Sequence, residues 1–235
     1  MNKAVALAGL GGGLVGAVAT AALLVTAGPD LMGERLVRTT MLSHPDILID
    51  AANALEAQRF APMLEANRSL IEDPFHSSWA GAENPEVVLV EYYDYACGFC
   101  RQAKPDLERL LKEDPTLRVV YRELPVLGPA SVAAARASLA ASKAGKFEEF
   151  HESLWASGGI SEDAMYTAME AAGITLENLD DPEIDAEIER NLEVAGLLGA
   201  TGTPLFVIGD QVINSADGYR AYKDAVERAR EAAKG

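Results

Sequence analysis

Residues 94–111 read DYACGFCRQAKPDLERLL, and the two cysteines of the chain, Cys97 and Cys100, both lie in this stretch. Just upstream, VVLVEYY (87–93) is apolar, β-branched and aromatic, which predicts a strand. From Gly98 the apolar spacing becomes helical and predicts a helix over 98–112. Two cysteines three positions apart at a strand-to-helix joint admit three readings: a redox pair, half of a metal site, or a structural disulfide.

The spacing bears on each. A disulfide across two intervening residues closes so small a loop that it constrains the unfolded chain little. Zinc takes four ligands, and the other candidates, His44, His76 and His151, are scattered without paired spacing. The redox reading uses the geometry directly. Cys97 would stand at a helix N-terminus, where unpaired backbone N–H groups and the helix dipole favour a thiolate, the form that attacks. Cys100, one turn on, would point inward and resolve a mixed disulfide. The sequence calls for no cofactor and no resident metal, although retention of a soft metal such as copper by the same pair stays open.

Glu91 lies inside the strand preceding the motif, in phase with Tyr93 and Tyr95, while Val88 and Val90 face the other way. A carboxylate in so apolar a strand is costly unless it is used or paired. It is expected to be a partly buried proton acceptor for Cys100, a plain salt bridge being the alternative.

Outward from the motif, LRVVYREL (117–124) predicts a second strand. A long helical section follows, then TGTPLFVIGDQVINSADG (201–218) as strand, Gly-Asp turn and strand, and a charged amphipathic helix over 219–234. Pro204 stands directly before the strand Leu205–Ile208, where proline is allowed in either isomer. The order βαβ, several helices, ββα predicts an α/β sheet with a helical insertion.

Upstream, Leu31, Met32, Leu36, Val37, Met41 and Leu42 follow a helical repeat. After Pro45 a second helix carries Ile47, Leu48, Ala51, Ala52 and Leu55. Residues 72–86 carry turn signals and no periodicity, and mark a linker. Between Lys3 and Asp30 there is no charge. That run is longer than the apolar core of a usual signal peptide and long enough to span a bilayer, which takes ~20 residues. Val25-Thr26-Ala27 also offers small residues for cleavage. The expected organisation is a signal peptide or membrane anchor over 1–28, a helical segment over 29–71, the linker 72–86, and a main domain over 87–235 with its insertion at about 128–199. Export would place the cysteines in an oxidising compartment. The formal net charge of −16 and the lack of a basic stripe exclude nucleic acid as the main partner.

CGFC after a strand, the TGTP segment, the helical insertion between them and the closing helix resemble the DsbA-like branch of the thioredoxin superfamily, over about residues 85–235. The resemblance implies a thioredoxin fold with a helical insertion. It implies a periplasmic protein disulfide oxidoreductase or isomerase acting on cysteine-containing exported proteins, with a membrane redox partner that reoxidises or reduces the pair. By it, Cys97 is the nucleophile, Cys100 the resolving cysteine and Glu91 the buried acid. Pro204 is the cis-proline facing the pair, Thr203 offers backbone hydrogen bonds to an extended substrate, and Gly98 and Phe99 border the substrate. The best-known pattern has Pro-His where this chain has Gly98-Phe99, so strong oxidising power does not carry over. VRTTMLSHPDILIDAANALEAQ (37–58) is similar to the N-terminal segment of ScsC-like members, which implies self-association through residues 31–60.

Overall fold

The computed structural model describes residues 28–234, so the expectation of a signal peptide or anchor over 1–28 lies almost wholly outside the described residues. Among the described residues, no helix is long and apolar enough to cross a membrane. Two compact units divide between Ala54 and Leu55. In the first, α1 (Gly28–Ser43) is followed after a short break by α2 (Asp46–Glu72), which continues into the second. Leu36, Val37, Leu42, Leu48, Ile49 and Leu55 are exposed along these helices.

The second unit holds a five-stranded sheet in the order β1-β3-β2-β4-β5. Its strands are β1 (Trp79–Gly81), β2 (Val87–Tyr93), β3 (Leu117–Glu123), β4 (Leu205–Ile208) and β5 (Gln211–Ile213). β2 and β3 are parallel, joined through α3 (Gly98–Glu113), and the other pairings are antiparallel. Between β3 and β4 come α4 (Pro129–Lys143), α5 (Phe147–Ala156), α6 (Glu162–Ala172), a 3₁₀ turn at Leu176–Leu179 and α7 (Pro182–Leu197). The last helix, α8 (Tyr219–Ala232), closes the chain. This is the α/β sheet with a helical insertion expected from the element order, and the thioredoxin-like fold that the resemblance implied.

Residues 72–86 are not free of structure. β1 forms within them and pairs with β3, and Phe75 and Ser78 are buried. Three strand residues are too few to show a period of two. The compact unit also begins before residue 72, because Leu64 and Ile71 of α2 are buried against Val90, Val120 and Val207. Arg122 of β3 caps that end of α2, donating to the carbonyls of Leu70 at 2.7 Å and Ile71 at 3.2 Å.

Strand alternation decides what each sheet face carries. Leu89, Tyr93, Val119, Tyr121, Phe206 and Ile208 share one core with α3 and α8. Val90, Tyr92, Val120, Leu205 and Val207 share the other with the end of α2 and with α7. α3 buries Cys100, Ala103, Leu107 and Leu110, a helical stripe that begins at the second cysteine. That stripe sets the rotation of the helix and points Cys100 into the protein.

Candidate active site

Cys97 is the N-cap of α3 in extended conformation, with no side-chain cap. Its backbone N–H donates to the Asp94 carbonyl at 2.9 Å, and its thiol donates to the Thr203 carbonyl at 3.1 Å. The following Thr203–Pro204 peptide bond is cis, and Pro204 is buried at the start of β4. The loop before β4 is therefore brought directly against the helix N-terminus, although the two lie more than a hundred residues apart in sequence.

Cys97 is less exposed than a helix-end position implies: it retains 6% of its surface and Cys100 retains 1%. The 201–204 loop covers Cys97, which sequence spacing does not reveal. The asymmetry of the two thiols lies in their surroundings. Burial, and after it the nearby Glu91 carboxylate, push the Cys100 thiol far up. Both cysteines are unpaired thiols. At the tip between them, Gly98 is exposed, with open space where a Cβ would stand, and Phe99 is 65% exposed. Among the described residues, the buried Thr203 hydroxyl has no hydrogen-bond partner within ordinary geometry.

Glu91 is fully inside, paired across the sheet with Tyr121 and Phe206. Burial pushes its carboxyl up to about 8, with Lys104 pulling weakly the other way. Lys104 instead pairs with Glu108 and Glu152, so Glu91 has no ion pair among the described residues.

Sequence reading missed a buried polar cluster beside the motif. The Tyr95 hydroxyl oxygen accepts from His151 Nδ1 at 3.0 Å and hydrogen-bonds Ser138 at 3.1 Å, and Tyr93 hydrogen-bonds Glu123. Trp155 donates its indole N–H to His151 Nε2 at 3.1 Å, which leaves the ring proton on Nδ1 facing Tyr95. Burial holds His151 neutral, and it pushes the Glu123 carboxyl well above the carboxylate range. Glu123 could have been found by the argument that found Glu91, since it shares the phase of Tyr121 in an apolar strand. His151, a lone histidine in an amphipathic helix, carries no such signal. Among the described residues, no group of three or more His, Cys, Asp or Glu side chains is placed to hold a metal ion.

A thiol at the N-terminus of α3, a second buried one turn later, a buried acid on β2 and a cis-proline loop against the first thiol are thus brought together. Residues 88–227 match the DSBA-like thioredoxin domain family, to which the chain belongs. Among solved structures it is similar to a thioredoxin-like oxidoreductase from Silicibacter pomeroyi DSS-3, with 36% identity and a TM-score of 0.65 over 70% of this chain and 98% of that one. Proteus mirabilis ScsC in a transitional conformation aligns over 88% of this chain and 99% of its own, with 27% identity and a TM-score of 0.65. Among curated proteins, Na(+)/H(+) antiporter NhaA 3 of Salinispora tropica is 31% identical over 170 residues, 67% of this chain and 26% of that protein. The chain spans about a quarter of the length of the curated relatives it matches first.

Proposed function

We propose that this chain is an extracytoplasmic thiol-disulfide oxidoreductase that forms or isomerises disulfide bonds in exported proteins through Cys97 and Cys100. The observation that carries the reading is the Cys97 thiol at the N-terminus of α3, 3.1 Å from the Thr203 carbonyl that precedes cis-Pro204. The attacking form of a cysteine is its thiolate. The thiolate attacks a client disulfide, forming a mixed disulfide and releasing one client sulfur as thiolate. Glu91, whose carboxyl stands near 8, accepts the proton of Cys100 when it is in its ionised form. Cys100 then attacks the Cys97 sulfur, releasing the second client thiolate and leaving the pair oxidised. Run backwards, the oxidised pair takes two electrons from a client dithiol. If the freed client thiolate instead attacks another client disulfide, the sulfur released there attacks the mixed disulfide, which moves the bridge and frees the Cys97 thiolate.

An extended client strand would lie along the backbone at Thr203 and Pro204, with Gly98 and Phe99 at its border. A membrane redox partner would supply or remove electrons. The export reading rests on the uncharged run before Asp30, which also allows a tether to the inner membrane.

Replacing Cys100 with Ala is expected to accumulate mixed disulfides with cysteine-containing proteins, all through Cys97, as read by mass spectrometry of non-reduced adducts. Adducts through Cys100 in the reciprocal Cys97→Ala chain would reverse the roles. Stoichiometric copper retention without any thiol exchange would favour the metal-handling alternative. Equilibration of the pair against glutathione then separates oxidase from isomerase or reductase.

Exposed Leu36, Leu42, Leu48 and Leu55 support self-association through residues 31–60. Several sites around one client would suit isomerisation. Light scattering is expected to give a multimer for the parent and a smaller species for Leu42→Glu/Leu48→Glu. Equal masses for both would remove this segment from any assembly.

A further inference from the structure

Asp94 is nearly fully buried and belongs to none of the groups that move electrons or protons in the reaction above. Its side chain nevertheless makes three hydrogen bonds to backbone N–H groups from two separate segments. Oδ1 accepts from Ala96 at 2.8 Å, in the turn that leads into Cys97. Oδ2 accepts from Val126 at 2.9 Å and from Leu127 at 3.0 Å, in the loop that leaves β3. The Asp94 main-chain carbonyl holds the N–H of Cys97 itself. One carboxylate therefore sets the turn carrying the nucleophile and the 125–127 loop side by side. Charge-assisted bonds of this kind are stronger than neutral ones and fix geometry.

The loop is held with its apolar side chains outward. Pro125 is buried, but Val126 is 46% and Leu127 54% exposed. Two adjacent exposed aliphatic side chains offer an apolar contact that a partner group can cover. Through Asp94 the loop lies beside the turn that carries Cys97.

We infer that Val126 and Leu127 form an apolar subsite for the client side chain flanking the reacting cysteine, and that Asp94 is the positioning residue that holds this subsite in register with Cys97. The inference rests on the oxidoreductase reading and adds a preference to it: a client cysteine next to leucine, isoleucine or phenylalanine is taken in favour of one next to a small polar residue. Sequence at a distance of two positions from the client cysteine is not read by this contact.

The test compares two short peptides, each carrying one cysteine as a mixed disulfide with glutathione. They differ only in having leucine or serine beside that cysteine. Initial rates with the full chain, kept reduced by excess glutathione, give kcat and KM for each. The parent is expected to favour the leucine peptide, mainly through KM. Val126→Ser/Leu127→Ser, both at exposed positions, is expected to lower the leucine-to-serine ratio of kcat/KM on the order of tenfold, as loss of one well-buried aliphatic contact would. Asp94→Asn, which loses an acceptor at nearly constant volume, is expected to lower the same ratio. A parent that treats the two peptides alike overturns the subsite. So does a double serine variant whose ratio stays at the parent value. If Asp94→Asn slows both peptides by one common factor, the positioning role falls, because a merely structural residue would act in that way. A parent that exchanges with neither peptide overturns the oxidoreductase reading itself, a separate failure.

Discussion

On one face of β2 and β3, Glu91 and Glu123 are buried without a cation in ion-pair range among the described residues. On the opposite face, one residue away along β3, Arg122 is equally buried but paired with Glu187 of α7, which Arg190 also reaches from the rim. The same two strands thus bury charge in two ways. Toward Cys100, the acids stay near neutral form, and hydroxyls or aromatic rings surround them. Toward α7, charge is matched with charge, and Arg122 spends its remaining donors on the end of α2. Isolated buried acids destabilise a fold and are useful to proton chemistry. A matched, fully bonded pair fixes how elements dock and has no proton to give. The contrast separates the reacting face of the sheet from the face that holds the sheet to its helices.

The largest effect expected from this difference is in pH dependence. The Glu91 carboxyl stands near 8 in the fold against an ordinary 4.5. Between those values the folded chain binds more protons than the unfolded chain, so stability is lost as pH rises through that window. At ~1.4 kcal/mol per unit, Glu91 alone accounts for roughly 5 kcal/mol. Glu123 is shifted the same way and adds to the slope. Urea unfolding of reduced Glu91→Gln is expected to show little change at acid pH and a gain of several kcal/mol above pH 8, with a slope reduced by about one proton. An unchanged slope would move the titration to Glu123.

Next in size is the paired face. Arg122→Met leaves the buried Glu187 with only Arg190 at the rim and frees the carbonyls of Leu70 and Ile71, and is expected to cost roughly 3 kcal/mol. Arg122→Met/Glu187→Met should recover much of that loss. A single variant costing under ~1 kcal/mol would put this pair with ordinary surface ion pairs and erase the contrast.

A smaller change tests the surroundings of the acids. Tyr95→Phe removes the hydroxyl facing His151 Nδ1 and Ser138, and leaving those groups unpaired is expected to cost about 1–3 kcal/mol. The smallest effect belongs to Phe99→Ser at the exposed motif tip, within ~0.5 kcal/mol of parent stability by thermal unfolding. A larger loss there would mean that Phe99 packs against the fold rather than facing a client.

Much of this arrangement was legible in the residue pattern. VVLVEYY forms the strand expected, and the helix begins at Gly98 as its spacing required. The stripe Cys100, Ala103, Leu107, Leu110 already says which cysteine turns inward, because a helix brings positions three and four apart onto one face. Period-two alternation likewise puts Glu91 on the face of Tyr93. These are consequences of local geometry, which sequence encodes through spacing alone. What only the tertiary structure decided is which distant segments meet. The Thr203 carbonyl reaches Cys97, Asp94 binds the loop leaving β3, His151 closes on Tyr95, and the end of α2 joins the core of the second unit. Each is a long-range contact made through one or two polar atoms or a few apolar side chains. Such contacts have no period along the chain, so they become visible only when the packing of whole elements brings their residues together.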